Sequence, residues 1–499
     1  MKGWLGLVSA VALGLLGSSA QARIISRDDI RVQLEPQLSE KADIYFPDAD
    51  IWENATERWS YYHPPTFKVV VEVANEQDVV AAIKYANSEG LAYLAVNGGH
   101  GAISSLSNMQ NGMEIWLHKL NAVQIAEDGK SATFGGGLKS VDLIGALWQH
   151  GKQTVHGVCE CVSYLGPALG GGHGTLQGKY GVAADQLISV TLATADGELV
   201  TASENENEDL WWAVRGAGHN FGIVTSVTSK IYDVPDEGKW AYEQLIFGEE
   251  QVEALFEAFN KLADFQPPGF MIWTYLLHIP DLDPEKPVYT ANFVREGTVI
   301  EDEIIQPFRD LSTMPAVAKT VGYYTDIPTW IRTDINSEGC APMGNKARFP
   351  ISFPRYDVQA QKDFYEAFKE GTAGDSLFNT SMVLIEQYSA QGVESVPADS
   401  TAFPHRSDAL LVSPVIAWLS DSGEVEGQGV EFGDELRDIL LKATGSDELH
   451  AYVNYAAGNE GAEAWYGYEP WRMEKLQRVK EKYDPEGKFS FYAPIPLPK

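Results

Sequence analysis

The chain has 499 residues, 44% of them hydrophobic, and sets 37 lysines and arginines against 70 aspartates and glutamates, a formal charge of -33. That excess of negative charge excludes a protein built to hold nucleic acid or an anionic membrane surface. The length allows two or three packed cores, and no repeat or low-complexity tract interrupts it.

The first 22 residues read as a secretory signal peptide. Met1-Lys2-Gly3 is a basic start, 4–17 is an apolar run too short to span a bilayer, and Ala20-Gln21-Ala22 offers small residues where a signal peptidase reads. The expectation is a secreted, extracellular chain with no membrane contact after cleavage. Asn54-Ala55-Thr56 and Asn379-Thr380-Ser381 are then candidate glycosylation sites at Asn54 and Asn379. Only Cys159, Cys161 and Cys340 occur, and an odd count leaves one thiol over. If Cys159 is engaged by a cofactor, Cys161 and Cys340 remain either as a disulfide or as two buried thiols.

Valine-rich 68–73 predicts a strand, and Val79, Ala82, Ile83 and Ala86 give 76–87 a helical period. With a second apolar strand at 91–96 they form a βαβ unit that runs into Asn97-Gly98-Gly99-His100-Gly101. A strand at 113–117 and a helix at 141–148 follow. Next come a hairpin of 187–193 and 198–201 around Ala195-Asp196-Gly197, a helix at 209–215 and a strand at 223–232. From about Lys239 the texture changes. Strands at 242–247, 271–279, 288–294, 382–388 and 409–418 alternate with helices at 250–264, 301–311, 358–370 and 433–443. This mix fits an antiparallel sheet with helices on one face. The stretch 469–494 is dense in aromatics and turn residues.

Two glycine-rich segments carry the chemistry. Asn97–Gly101 sits at a strand end, where glycines let backbone amides approach a pyrophosphate. From Gly166 to Gly174, then at Gly178 and Gly181, glycine is too frequent for a merely structural segment and implies close approach to something flat or charged. The spacing matches neither the nicotinamide fingerprint nor the Walker loop.

At these residues the chain resembles the berberine-bridge-enzyme-like FAD-linked oxidases of the vanillyl-alcohol-oxidase superfamily, in their fungal branch. The resemblance is carried by Asn97-Gly98-Gly99-His100, by Gly157-Val158-Cys159 with Gly166 and Gly170-Gly171-Gly172, and by Ala195-Asp196-Gly197. It continues through 212–225, Phe403-Pro404-His405-Arg406, Tyr452-Val453-Asn454-Tyr455 and the close from Tyr483-Asp484-Pro485 to Phe489-Ser490-Phe491-Tyr492. It implies an α+β protein: a PCMH-type FAD-binding domain at 23–235, a substrate domain at 236–450 whose antiparallel sheet is covered by helices, and a C-terminal segment at 451–499 returning to the FAD domain.

The resemblance further implies covalent FAD, with His100 bonded to the flavin 8α carbon and Cys159, eleven residues before the triple glycine, bonded to C6. Asn97, Gly98, Gly99, Gly101, Gly166, Gly171, Gly174, Gly181, Ile223, Asn454 and Tyr492 are the further cofactor contacts it implies. Val162 stands where the family gates oxygen. For catalysis it offers Tyr455 and Tyr452, with Glu386 or Gln387 as partner. On a strand, residues three apart face opposite ways, so Tyr452 and Tyr455 cannot both face one substrate unless the segment kinks, and Tyr455 is favoured. A tyrosine near its ordinary pKa of about 10 is a poor base and needs a lowered pKa or a partner.

The expected reaction is hydride removal from a small alcohol or sugar-like substrate, with O2 as final acceptor and H2O2 as product. The chain is expected to be monomeric, with no metal. Two other readings compete: an oxidative tailoring or ring-closing enzyme of secondary metabolism, and a flavin-bearing protein whose role is binding. An open aromatic groove would suit a carbohydrate, and a closed apolar pocket would suit a tailoring substrate.

Overall fold

The structure is a computed structural model and describes residues 26–312, 318–342 and 344–497. The signal peptide expected at 1–22 lies outside these residues. Among the described residues no helix is long and apolar enough to cross a membrane.

Three sheets carry the architecture. In the first, Phe67–Glu72 and Tyr93–Val96 each pair in parallel with Gly112–Trp116, and Asp43–Tyr45 adds an antiparallel edge. Parallel strands need a crossover, which helix Glu76–Glu89 supplies. Asn75 caps its start by accepting from the amides of Gln77 and Asp78, and Val79, Ala82, Ile83 and Ala86 lie fully buried. The second sheet is antiparallel, in the order Val123–Ile125, Ser131–Gly135, Ile223–Lys230, Leu187–Ala193, Leu199–Ser203. Its last two strands are the expected hairpin.

The third sheet has eight antiparallel strands. They run Ala318–Tyr323, Lys239–Phe247, Val288–Glu296, Phe270–Leu277, Met382–Tyr388, Leu410–Trp418 and Asn345–Arg348, with Ile351–Phe353 also on Leu410–Trp418. Helices Val252–Ala263, Val358–Thr372 and Gly423–Ala443 pack together over this sheet. Its other face is left to line a cavity. The molecule is therefore the mixed helix and sheet protein expected, with a helix-covered antiparallel sheet.

Two of the departures from expectation are helices. The helix read as 433–443 begins ten residues earlier, at Gly423. Glycine weakens a helical pattern, but Gly429 and Gly433 are where the rings of Trp418 and Phe349 close on this helix. The aromatic-rich stretch 469–494 contains a 14-residue helix, Pro470–Tyr483. Its inward face combines Leu476 and Val479 with Arg472 and Lys480, which are fully buried, so charged residues conceal the period.

Lys480 clamps the chain end. Its Nζ donates to Asp484 Oδ2 at 2.7 Å and to the carbonyls of Asn220 at 2.8 Å and Phe489 at 3.1 Å. Asp484 accepts in turn from the amides of Lys488 and Phe489, and both side chains are out of solvent. The clamp aims 489–492 back into the molecule. Lys480→Met should leave a buried carboxylate uncompensated and cost about 3–5 kcal/mol, read as a lowered midpoint in denaturant unfolding. An unchanged midpoint would contradict the clamp.

Candidate active site

Stretches far apart in sequence meet at one cavity of about 310 Å³ with a mostly apolar lining. The first is Asn97–Gly101, leaving strand Tyr93–Val96. A Cβ on Gly98 would stand 2.9 Å from the Cys161 carbonyl oxygen, and one on Gly101 would stand 2.9 Å from the Tyr492 ring. Only glycine lets this loop pass between the Cys159 segment and the chain end. His100 stacks on Trp59, with centroids 6.1 Å apart. Burial, then the cations Arg348, Arg58, Lys139 and Lys346, push His100 down to about 3, so the imidazole is neutral. Asn97 Nδ2 donates to the Leu138 carbonyl at 3.3 Å, while its buried Oδ1 has no partner among the described residues.

The second stretch carries Cys159, a free thiol that burial pushes up to about 12. Two residues on, Cys161 is joined to Cys340 by a disulfide. That bond, with the Thr333 hydroxyl donating to the Val158 carbonyl at 3.1 Å, ties the Cys159 segment to the loop before Asn345–Arg348. Val162, Gly166 and Ile223 also line the cavity, as does Gly99.

The third contribution is the open face of the eight-stranded sheet. Glu386 and Tyr388, two apart on Met382–Tyr388, face the cavity, and Trp273 stands opposite Glu386 on the neighbouring strand. Glu386 Oε1 accepts from the Tyr455 hydroxyl at 2.7 Å, and Oε2 accepts from the Tyr388 hydroxyl at 2.7 Å. Burial holds the Glu386 carboxyl above its ordinary range, although both tyrosines and Arg348 pull it down. Burial, then Glu386, raises Tyr455 well above its ordinary value. The lowered tyrosine pKa is thus not found here, but the partner is.

The fourth stretch is the chain end. On a strand Tyr452 and Tyr455 would face opposite ways, but Val453–Tyr455 is a 3-10 turn, the kink that both tyrosines need to face one side. The turn brings both tyrosine rings to the same side, 5.1 Å apart, so the opposition expected of a strand does not arise. Asn454 Nδ2 donates to the Tyr452 hydroxyl at 2.7 Å and to the Pro167 carbonyl at 2.9 Å. The Tyr492 hydroxyl donates to the Val453 carbonyl.

Four expected residues lie outside the cavity. Gln387 points through the sheet to the helical layer, where its amide donates to the Phe259 carbonyl and to Gln266 Oε1. Strand alternation puts it opposite Glu386. Gly171, Gly174 and Gly181 do not line the cavity; their missing side chains make room for Phe403, His156 and Asp185 respectively. Those glycines serve close packing of protein on protein. The sequence reading missed Trp59, His173, His219, Trp273, Arg348 and Tyr388, all of which line the cavity. Tyr388 carried a signal, being two residues from Glu386, and His173 and His219 lay within the glycine-rich and 212–225 segments already singled out.

The residues present fit a flavin dinucleotide. Glycine backbone at Gly98, Gly99, Gly101 and Gly166 forms one wall, and beside it the buried acceptor Asn97 Oδ1 and the ring nitrogen His219 Nδ1 have no hydrogen-bond partner among the described residues. Models for "FAD binding domain" and "Berberine and berberine like" match residues 67–203 and 451–496. FAD-linked oxidoreductase chyH of Penicillium rubens is 44% identical over 98% of this chain and 99% of its own length. The chain belongs to the berberine-like FAD-linked oxidoreductases. FAD-linked oxidoreductase chry5 of Gibberella zeae is 43% identical to this oxidoreductase over 96% of the chain and 97% of its own. The fold is shared with solved BBE-like 1 of Physcomitrella patens, at TM-score 0.80 and 22% identity over 94% of this chain and 99% of that one. Xylooligosaccharide oxidase from Myceliophthora thermophila superposes with TM-score 0.80 at 20% identity, over 94% of this chain and 99% of that one.

Proposed function

We propose that this FAD-linked oxidoreductase is a secreted, monomeric oxidase of compact, largely aromatic metabolites, the tailoring reading, with His100 and Cys159 as covalent tethers of the flavin.

 The observation that carries this reading is the Tyr455–Glu386 hydrogen bond, set in a cavity walled by Trp59, Trp273, Tyr388 and Tyr452. The mostly apolar lining suits a flat apolar substrate better than an extended sugar chain. FAD, when bound, supplies the acceptor for a hydride and, through reoxidation by O2, the route to H2O2. Asn97, Gly98, Gly99, Gly101, Gly166, Ile223, Asn454 and Tyr492 would hold it.

The protein's own part is to move a proton. A substrate O–H or N–H that reaches Tyr455 can pass its proton to the phenol oxygen as the Tyr455 proton moves to Glu386 Oε1. The phenol need not be acidic in isolation, because the carboxylate that takes its proton is already hydrogen-bonded to it. Tyr388 holds the other carboxylate oxygen, and the stacked ring of His173, 6.0 Å from that of Tyr388, backs it. Tyr452 stands beside Tyr455, with its hydroxyl occupied by Asn454 and the His173 amide, so it shapes the pocket. Val162 is of modest size where the family gates oxygen, which supports an oxidase over a dehydrogenase. Asn54 and Asn379 are both exposed, as glycosylation in a secreted protein requires.

Two experiments test this reading. Acid precipitation should leave the pellet yellow, and peptide mapping should find flavin on both His100 and Cys159; free FAD in the supernatant would remove both tethers. With a substrate found by an H2O2-coupled screen, Tyr455→Phe should slow anaerobic flavin reduction by about 10²–10⁴-fold while the flavin stays bound. An unchanged rate would move the proton transfer elsewhere.

A further inference from the structure

Arg348 stands in the cavity without a hydrogen-bond acceptor among the described residues. It ends strand Asn345–Arg348, and its guanidinium lies over the Tyr455 ring at 3.9 Å and over the Trp59 ring at 5.1 Å. Its Nη1 is buried without a hydrogen-bond partner among the described residues. Stacking uses the face of the guanidinium, whereas its N–H donors lie in the plane and stay available. Leaving such a donor buried and unpaired is unfavourable, so the position calls for an acceptor. Glu386 is already engaged, with one tyrosine hydroxyl on each of its oxygens.

A second cation sits on the same side. Lys346, two residues earlier on the strand, holds its Nζ 4.4 Å from the Trp59 ring and donates to the Ala341 carbonyl. The strand is braced where it matters: the Ser60 hydroxyl donates to the Lys346 carbonyl at 2.8 Å and accepts from the Lys346 amide at 2.9 Å. In a chain of formal charge -33, two cations gathered around one aromatic ring beside Tyr455 form a local positive site.

We propose that Arg348 is the specificity-determining residue that receives a carboxylate of the substrate, so that the oxidoreductase acts on small aromatic carboxylic acids. The planar fork of the guanidinium matches a carboxylate with two parallel hydrogen bonds. The aromatic walls take the rest of the molecule. Anchored there, the substrate presents its oxidisable carbon and its O–H or N–H to Tyr455, on which Arg348 itself stacks. This inference rests on the oxidase reading above.

The test uses the flavin-loaded protein and simple probes. Benzoate, benzamide and benzyl alcohol are titrated while the visible flavin band is followed. Benzoate should bind at least about tenfold more tightly than benzamide, as expected for a charge-assisted pair. Arg348→Gln should weaken benzoate by about tenfold or more and leave benzamide unchanged, while Arg348→Lys keeps part of the benzoate affinity. Flavin content and unfolding midpoint report whether each variant is intact, and Arg348→Lys decides the question if Arg348→Gln loses flavin. Equal binding of benzoate and benzamide, or benzoate binding unaffected by either variant, would overturn the proposal. The two readings fail separately. A flavin that substrates bleach but benzoate ignores removes only the carboxylate site, and a flavin that benzoate perturbs through Arg348 but no substrate bleaches removes the oxidase.

Discussion

A carboxylate buried between two phenols sets the terms for the rest of this molecule. Glu386 is 2% exposed, and its two oxygens rest on the hydroxyls of Tyr455 and Tyr388. Hydrogen bonds to a charged group are worth about 1.5–3 kcal/mol each, which offsets only part of the cost of desolvating the charge. The imbalance keeps the carboxyl above its ordinary range and makes it ready to take a proton. The arrangement works only if the sheet that carries Glu386 and the chain end that carries Tyr455 are brought together and kept there.

Several devices do so. The buried Lys480–Asp484 pair fixes the end of helix Pro470–Tyr483, and from it 489–492 return to the cavity. The equally buried Arg406–Asp185 pair, bidentate at 2.8 and 3.0 Å, ties the segment after the glycine-rich run to the loop around Phe403. The Cys161–Cys340 disulfide joins the Cys159 segment to the chain that leads into Arg348. The last two link residues far apart in sequence, and Lys480 does the same through its bond to the Asn220 carbonyl. The architecture thus delivers a neutral imidazole, a protonated thiol and a hydrogen-bonded phenol to one place.

Much of this was legible in the sequence because it rested on local rules. The βαβ unit announced itself through its valines, its helical period and the glycines that follow. His100 and Cys159 were marked by those glycines and by a family resemblance. What stayed hidden depended on orientation. The sequence brought Glu386 and Gln387 forward as a pair, since both faces of a buried strand are filled and alternation alone does not say which faces the cavity. Tyr452 and Tyr455 were set in opposition by assuming a strand, where a single 3-10 turn aligns them. Gly171, Gly174 and Gly181 looked like cofactor contacts because close packing against protein and against a ligand ask the same of a backbone. Trp59 and Arg348 left no mark, for a lone aromatic or cation gains its meaning only from what folds against it.

The most direct test of the account is the pH dependence of anaerobic flavin reduction in single-turnover experiments, comparing the natural protein with Glu386→Gln. With the carboxylate as proton acceptor, the rate rises with pH as Glu386 ionises, and the midpoint of the step lies above the ordinary glutamate value of about 4.3. Glu386→Gln is then slower and loses that step. A step of the same size and midpoint in Glu386→Gln would contradict the account, because the group that titrates would lie elsewhere.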